Sequence, residues 1–202
     1  MAAPELFAKL GLFVRPGFLD GEARSAARQI AAASAHEAAK VLRGNEDDVL
    51  YLDSRRSTVA LVDSATKERV RQRFLAVMPE IAAHFGEPLS RCETPKFLVY
   101  REGDYFKPHH DSTDRTDAPV TIQRRRVSAV VFLNGQAPAP DAPSYQGGGL
   151  VFYGLFGGDR GSAVGLEFEA QPGTLVAFRA NTLHEVTPIS GGERYTLVTW
   201  FS

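Results

Sequence analysis

Long apolar runs are missing from this 202-residue chain. None approaches the roughly 18 to 20 consecutive apolar residues that a membrane-spanning helix needs. Cysteine is almost absent too. Cys92 stands alone, so no disulfide can form within the chain, and a reducing, cytoplasmic setting is expected. Neither sign of charge dominates: 23 Lys and Arg face 24 Asp and Glu, for a formal net charge of −1. No overall field therefore pulls the protein toward nucleic acid or an anionic membrane. The single basic cluster, Arg124-Arg125-Arg126, reads as solvated charge ahead of a strand. The opening stretch MAAPELFAKLGLFVRPGFLD has neither a basic n-region nor an unbroken apolar h-region, so no signal peptide is read there. No segment repeats itself, and the Ala/Pro-rich loop at 135–144 is too short for a linker. One domain with a substantial core is expected.

The first half reads as helical and the second as β. Asp20 can cap a helix beginning in GEARSAARQIAAASAHEAAK, with Glu22 near its positive end. A second helix is expected from about Ser64 to Gly86, because Val70, Phe74, Val77, Ile81 and Phe85 recur at steps of three and four. Pro79 falls inside it and predicts a kink or a split. STVALVD, 57–63, reads as a strand between them. From Pro95 onward come short β runs: KFLVYRE, FKPHHD, VSAVVFLN, GLVFYG, GLEFEA, TLVAFRA, LHEVTPI and RYTLVTWF. Turn-forming stretches, ISGGE among them, separate these runs, a pattern of sandwiches and barrels. The expected organisation is a helix-rich supporting part, 1–94, packed on a β core, 95–202.

Chemistry concentrates in YREGDYFKPHHDST. In an extended strand, residues i and i+2 share a face, so His109 and Asp111 can aim at one point while His110 looks away. One imidazole and one carboxylate make two-thirds of a 2-His-1-carboxylate facial triad, which leaves coordination positions open on Fe(II). His184, 73 residues after Asp111 and at the start of an expected strand, is the candidate third ligand. His36 and His84 fall on expected helices and are poor candidates. Ten residues after His184 comes Arg194, which shares a strand face with Thr196, Val198 and Trp200. A guanidinium fork with a hydroxyl two residues on is suited to hold a carboxylate. Imidazole and carboxylate ligands alone would also accept Mn, Co, Ni or Zn.

Taken together these residues resemble the 2-oxoglutarate- and Fe(II)-dependent dioxygenases, in particular the prolyl 4-hydroxylase-like group. Tyr100-x-x-Gly103-x-x-Phe106-x-x-His109-x-Asp111 is similar to that group's approach to its first metal motif. VSAVVFLN, then Tyr145-x-Gly147-Gly148-x-Leu150, resembles its central strand pair, with Gly149 where an acidic residue is common. QPGTLVAF and LHEVTPISGGERYTLVTWF resemble the distal histidine and the carboxylate-binding strand. The likeness covers roughly 95–202.

The resemblance implies an α+β protein with a double-stranded β-helix (jelly-roll, cupin-like) core and N-terminal helices packed against it. It implies His109, Asp111 and His184 as Fe(II) ligands, and Arg194, Tyr100 and Thr196 as partners of the distal carboxylate of 2-oxoglutarate. O2 is the second cosubstrate, and ascorbate an accessory reductant the group admits. The implied reaction is hydroxylation of an unactivated C–H, foremost a prolyl residue in a protein or peptide, with release of succinate and CO2. Asp111 as a ligand favours hydroxylation over halogenation. A free amino acid or other small molecule is the alternative substrate. Demethylation of nucleic acid ranks low, because Trp200 stands where base-repairing relatives carry a second arginine and no basic groove is legible. A non-catalytic metal and 2-oxoglutarate sensor is the reading from a different class. Loops 112–123 and 135–147 are candidates for a lid and a substrate groove. Trp200 and Phe201 are expected to pack, Glu185 to lie at the surface, and His110 to be solvated.

Overall fold

The computed structural model describes residues 3–40, 54–137, 144–157, 164–169 and 171–202. Four helices are described: α1 (Ala3–Lys9), α2 (Gly21–Ala33), α3 (Ser64–Phe85) and α4 (Val120–Gln123). Asp20 caps α2 by accepting from the Ala23 N–H at 2.7 Å, and Asp63 caps α3 through the Thr66 N–H at 2.9 Å. α3 ends where Gly86 turns into the left-handed region, φ 63°, a conformation glycine adopts without a Cβ penalty. The helix runs through Pro79 in one piece, so the split that Pro79 suggested does not occur. Its buried face, Phe74, Val77, Ile81 and Phe85, outweighs the one lost backbone bond. α2 is shorter than its alanine-rich sequence implies. It stops at Ala33, and His36 lies on the strand β2 (His36–Ala38) rather than on a helix.

The strands form two main sheets. The larger contains β1 (Leu12–Arg15), β11 (Leu175–Arg179), β7 (Val127–Phe132), β14 (Arg194–Phe201), β5 (Lys96–Tyr100), β4 (Thr58–Ala60) and β2, in that spatial order. The smaller runs β10 (Gly165–Phe168), β9 (Leu150–Tyr153), β12 (His184–Val186), β6 (Tyr105–His109) and β3 (Arg55–Arg56). A further ribbon pairs β8 (Tyr145–Gly147) with β13 (Ile189–Gly192). ISGGE is therefore largely a strand that continues the chain toward β14, where the sequence suggested only a turn. All described strand ladders are antiparallel. The mixed helix-and-strand class expected from the sequence is what forms. The first half contributes strands to both sheets as well as helices.

Period-two alternation divides each central strand between two cores. Phe97, Val99, Val127, Ala129, Val131, Leu197 and Phe201 face the helices, where they meet Phe74, Val77 and Ile81. Leu98, Tyr100, Val130, Phe132, Val198 and Trp200 face the smaller sheet, where they meet Leu150, Phe152 and Val186. The larger sheet is thus covered on both faces, which is why its strands read as near-continuous apolar runs. Phe152 and Phe178 meet edge to face at 4.9 Å between the sheets. The polar residues that interrupt this inner face, Ser128, Arg194 and Thr196, are buried. Arg194 and Thr196 lie toward the start of β14, and Ser128 lies opposite Trp200 near its end.

Candidate metal and cosubstrate site

His109 and His184 are direct register partners across β6 and β12, which brings two residues 75 apart in sequence side by side. Their ring centroids are 4.2 Å apart. Asp111, just beyond the end of β6, is fixed by its backbone N–H donating to the Ala180 carbonyl at 2.8 Å. Its Oδ1 lies 3.7 Å from His109 Nε2 and its Oδ2 3.6 Å from His184 Nε2. One ligand atom from each of the three residues falls within 4.8 Å of the others.

The tautomers follow from the hydrogen bonds. His109 Nδ1 is 2.8 Å from the Lys107 carbonyl and His184 Nδ1 is 2.9 Å from the Thr182 carbonyl. A carbonyl only accepts, so both Nδ1 atoms carry hydrogen and both Nε2 lone pairs face the Asp111 carboxylate. Burial, together with the neighbouring His184, pushes the His109 imidazole down to about 3. Burial alone would raise Asp111, but the two imidazoles and the Ser128 hydroxyl hold its carboxyl down at about 2. A neutral His109 imidazole beside an ionised Asp111 carboxylate is the pairing of protonation states that metal binding requires. The residues fit a divalent cation.

His110 lies outside this cluster, exposed, its ring nitrogen Nδ1 2.8 Å from the Asn181 carbonyl. Glu185 also points elsewhere and accepts from the Tyr153 hydroxyl. His36 Nε2 sits against the Ala31 carbonyl at 2.8 Å, and His84 packs on Phe13 and Phe85. Neither reaches the site.

Arg194 stands across the sheet gap. It is 1% exposed, yet its Nε and Nη2 have no hydrogen-bond partner among the described residues. Thr196, on the same face, likewise holds a buried hydroxyl without a partner. Tyr100 pairs with Arg194 across β5 and β14, and the guanidinium lies 5.3 Å from the Tyr100 and Phe132 rings. One cavity is lined by Arg194, Thr196 and Tyr100 as well as by His109, Asp111 and His184. A buried cation with open donors costs several kcal/mol unless an anion completes it. The residues present fit a small dicarboxylate whose far end reaches Arg194.

Four contributors went unread in the sequence. Ser128 donates to Asp111 Oδ2 at 2.6 Å; a lone hydroxyl inside the apolar VSAVVFLN was the available signal. Tyr145 is fully buried beside Arg194, and its hydroxyl has no partner. Arg125 is not solvated as expected. It forms a bidentate pair with Glu93 at 2.7 and 2.9 Å, stacks on Trp200 at 3.7 Å, and donates to the Asp111 carbonyl at 3.3 Å. Trp200 does more than pack. It lines the cavity, and its indole N–H faces the Asp111 carboxylate without closing a hydrogen bond. Phe201 does sit in the helix-side core.

The family model described as the 2OG-Fe(II) oxygenase superfamily matches residues 95–202. A PKHD-type hydroxylase of Teredinibacter turnerae is 34% identical over 174 residues, covering 78% of this chain and 70% of that protein. The chain belongs to the 2OG-Fe(II) oxygenase superfamily. A PKHD-type hydroxylase of Shewanella baltica is 32% identical over 106 residues, which span 52% of this chain and 41% of the relative. The chain thus matches about two-fifths of the length of such relatives. Among solved structures, a Trichoplax adhaerens prolyl hydroxylase in complex with a hypoxia inducible factor oxygen degradation domain peptide shares the fold. It superposes with a TM-score of 0.67 at 15% identity, over 100% of this chain and 93% of that one. For a superfamily member, Fe(II) and 2-oxoglutarate are the implied metal and cosubstrate. No described helix is long and apolar enough to cross a membrane.

Proposed function

We propose that this chain is an Fe(II)- and 2-oxoglutarate-dependent dioxygenase that hydroxylates an unactivated C–H of a prolyl residue in a protein or peptide, releasing succinate and CO2. His109, Asp111 and His184 hold the iron. Arg194, with Tyr100 and Thr196, holds the distal carboxylate of 2-oxoglutarate. The observation that carries this reading is the buried, unpartnered Arg194 guanidinium in one cavity with three converging ligand atoms. Bound there, Fe(II) with 2-oxoglutarate and O2 supplies the oxidant for C–H hydroxylation.

The protein's own residues bind, orient and exclude water. The Lys107 and Thr182 carbonyls aim the two imidazoles, and Ser128 fixes one oxygen of Asp111. Leu98, Val130, Leu150, Val186 and Val198 give the cavity apolar walls, which strengthen the pairing of Arg194 with an incoming carboxylate. The PKHD-type hydroxylase relatives and the peptide-bound prolyl hydroxylase support the prolyl substrate. In this reading the two facing sheets are the halves of a jelly roll. The chain is one domain, with 1–94 supporting a catalytic 95–202 and reaching the mouth through Lys40 and Arg55.

The test needs no substrate. Fe(II) and 2-oxoglutarate are titrated anaerobically into the protein, and the weak visible band of a chelated 2-keto acid is followed. The band is expected in wild type, is lost in His184→Ala, and needs far more 2-oxoglutarate in Arg194→Ala. Metal binding without any band would refute the cosubstrate assignment.

A further inference from the structure

The chain is nearly neutral, at −1, but its cations are not evenly spread. The cavity that opens outward from His109 and Asp111, about 230 Å³, is lined by Lys40, Arg55, Lys96, Arg115 and Arg125. Asp111 is the one acidic side chain among the described residues lining it. In sequence these cations are scattered from 40 to 125; the fold gathers them at the mouth.

They are not equivalent. Arg125 is committed to Glu93, to Trp200 and to the Asp111 carbonyl. Arg115 pairs with Asp117 two residues on, an exposed ion pair of the kind that contributes little and exchanges readily. Arg55 differs from both. Its Nε donates to the Ser57 hydroxyl at 2.8 Å and its guanidinium lies 4.6 Å from the Phe106 ring centre. It has no acidic partner among the described residues. It also lines both cavities, the outer one and the inner one that holds Arg194 and the three ligands. A guanidinium with no acidic partner among the described residues, placed at this junction, selects for an anion on whatever enters.

We propose that the substrate carries a carboxylate close to the carbon that is oxidised, and that Arg55 receives it. For a peptide this means an acidic residue flanking the target proline. The proposal rests on the oxygenase reading above and narrows its substrate class. A carboxylate fits the mouth better than a nucleic acid does. Single-stranded nucleic acids need aromatic faces for base stacking, and here those faces are taken. Phe106 is stacked on His109 at 3.4 Å with Arg55 also over it, and Trp200 is covered by Arg125.

The experiment uses the full chain loaded with Fe(II) and 2-oxoglutarate, whose visible band reports the oxygenase reading by itself. Three capped peptides, acetyl-Glu-Pro-Glu-amide and its Gln-flanked and Lys-flanked counterparts, are compared with free L-proline and a short oligothymidine. The readouts are perturbation of the band and O2-dependent succinate formation. The acidic peptide is expected to act at about one-tenth the concentration of the Gln-flanked peptide or less, the worth of one charge-assisted hydrogen-bonded pair. Arg55→Gln should bring that ratio close to one, and Arg55→Lys should keep most of it. A merely structural role of Arg55 under Phe106 would change overall binding but not this selectivity. Free proline matching the acidic peptide would support the proposal, with the carboxylate supplied by a free amino acid. A ratio near one in wild type, preference for the Lys-flanked peptide or the oligonucleotide, no response to the acidic probe at millimolar concentration, or a ratio insensitive to Arg55→Gln would each overturn it. An absent band sinks the oxygenase reading; a normal band without the selectivity sinks only this proposal.

Discussion

Replacing Arg194 by methionine should make the ligand-free protein more stable and the same protein unable to hold its cosubstrate. The guanidinium is 1% exposed and two of its nitrogens lack partners. Leaving a buried polar group unsatisfied costs about 1–3 kcal/mol, more when it is charged. Methionine is close in length, flexible and apolar, so it can occupy the space of the arginine beside Tyr100 and Phe132 without a desolvated charge. Exchange of even a buried ion pair for packed apolar groups is often neutral or stabilising by about 1–4 kcal/mol, and here the charge has no acidic partner to lose among the described residues. We take roughly 1–3 kcal/mol for Arg194→Met, which at about 2–4 °C per kcal/mol for a chain of this size raises Tm by roughly 2–12 °C. The cosubstrate should reverse the order. At 100 times its Kd, a ligand adds about 2.7 kcal/mol to the native state, and the variant should show almost none of that gain. Thermal melts of both proteins are run metal-free, then with Fe(II) and 2-oxoglutarate under anaerobic conditions. A variant less stable than wild type without ligand, and still stabilised by 2-oxoglutarate, would refute the view of Arg194 as a buried charge awaiting a carboxylate.

Two further outcomes are expected. Tyr145→Phe removes a buried hydroxyl beside Arg194 that has no partner among the described residues. If that hydroxyl also serves the distal carboxylate, the affinity for 2-oxoglutarate falls roughly ten- to hundredfold, the worth of a hydrogen bond to a charged group. An unchanged titration would limit Tyr145 to packing. Gly149→Glu restores the acidic residue common at this turn, but a Cβ there would overlap the Glu167 carboxylate. The exposed Glu167 side chain can swing aside, so Gly149→Glu should destabilise by only about 0.5–1 kcal/mol alone and by less in a Glu167→Ala background, a coupling of about 0.5 kcal/mol by denaturant melts. Additive effects would mean that Glu167 does not occupy the vacated position.

Much of the site was legible because β geometry is readable from spacing. Alternation alone separated His109 and Asp111 from His110, and put Arg194, Thr196, Val198 and Trp200 on one face. Both hold in the structure. What spacing cannot give is which strand lies opposite. Ser128 looks like any small residue in a buried strand until β7 is placed beside Asp111. Arg125 looks like surface charge until Glu93 and Trp200 come within reach of it. The misread helix end has a local cause. Alanine-rich sequence favours helix through residue 40, but His36–Ala38 pairs with Thr58–Ala60 at the edge of the larger sheet, and that tertiary pairing overrides propensity. The stretches 41–53 and 138–143, the latter part of the loop expected to border a groove, lie outside the described residues.

The two ends of the site belong to different sheets. His109 and His184 are on the smaller one, and Arg194, Thr196 and Tyr100 on the larger. Leu98, Val130, Phe152, Phe178 and Val198 hold those sheets apart. In the proposed reading the sandwich works as a calliper: a chelating acid must be long enough to touch both jaws at once, and the spacer side chains set the opening. An apolar substitution among these spacers, such as Phe178→Leu, whose ring packs edge-on against Phe152 and His184, should then alter which chain length of 2-keto diacid fits. Cosubstrate choice in this protein would be written partly in its hydrophobic packing.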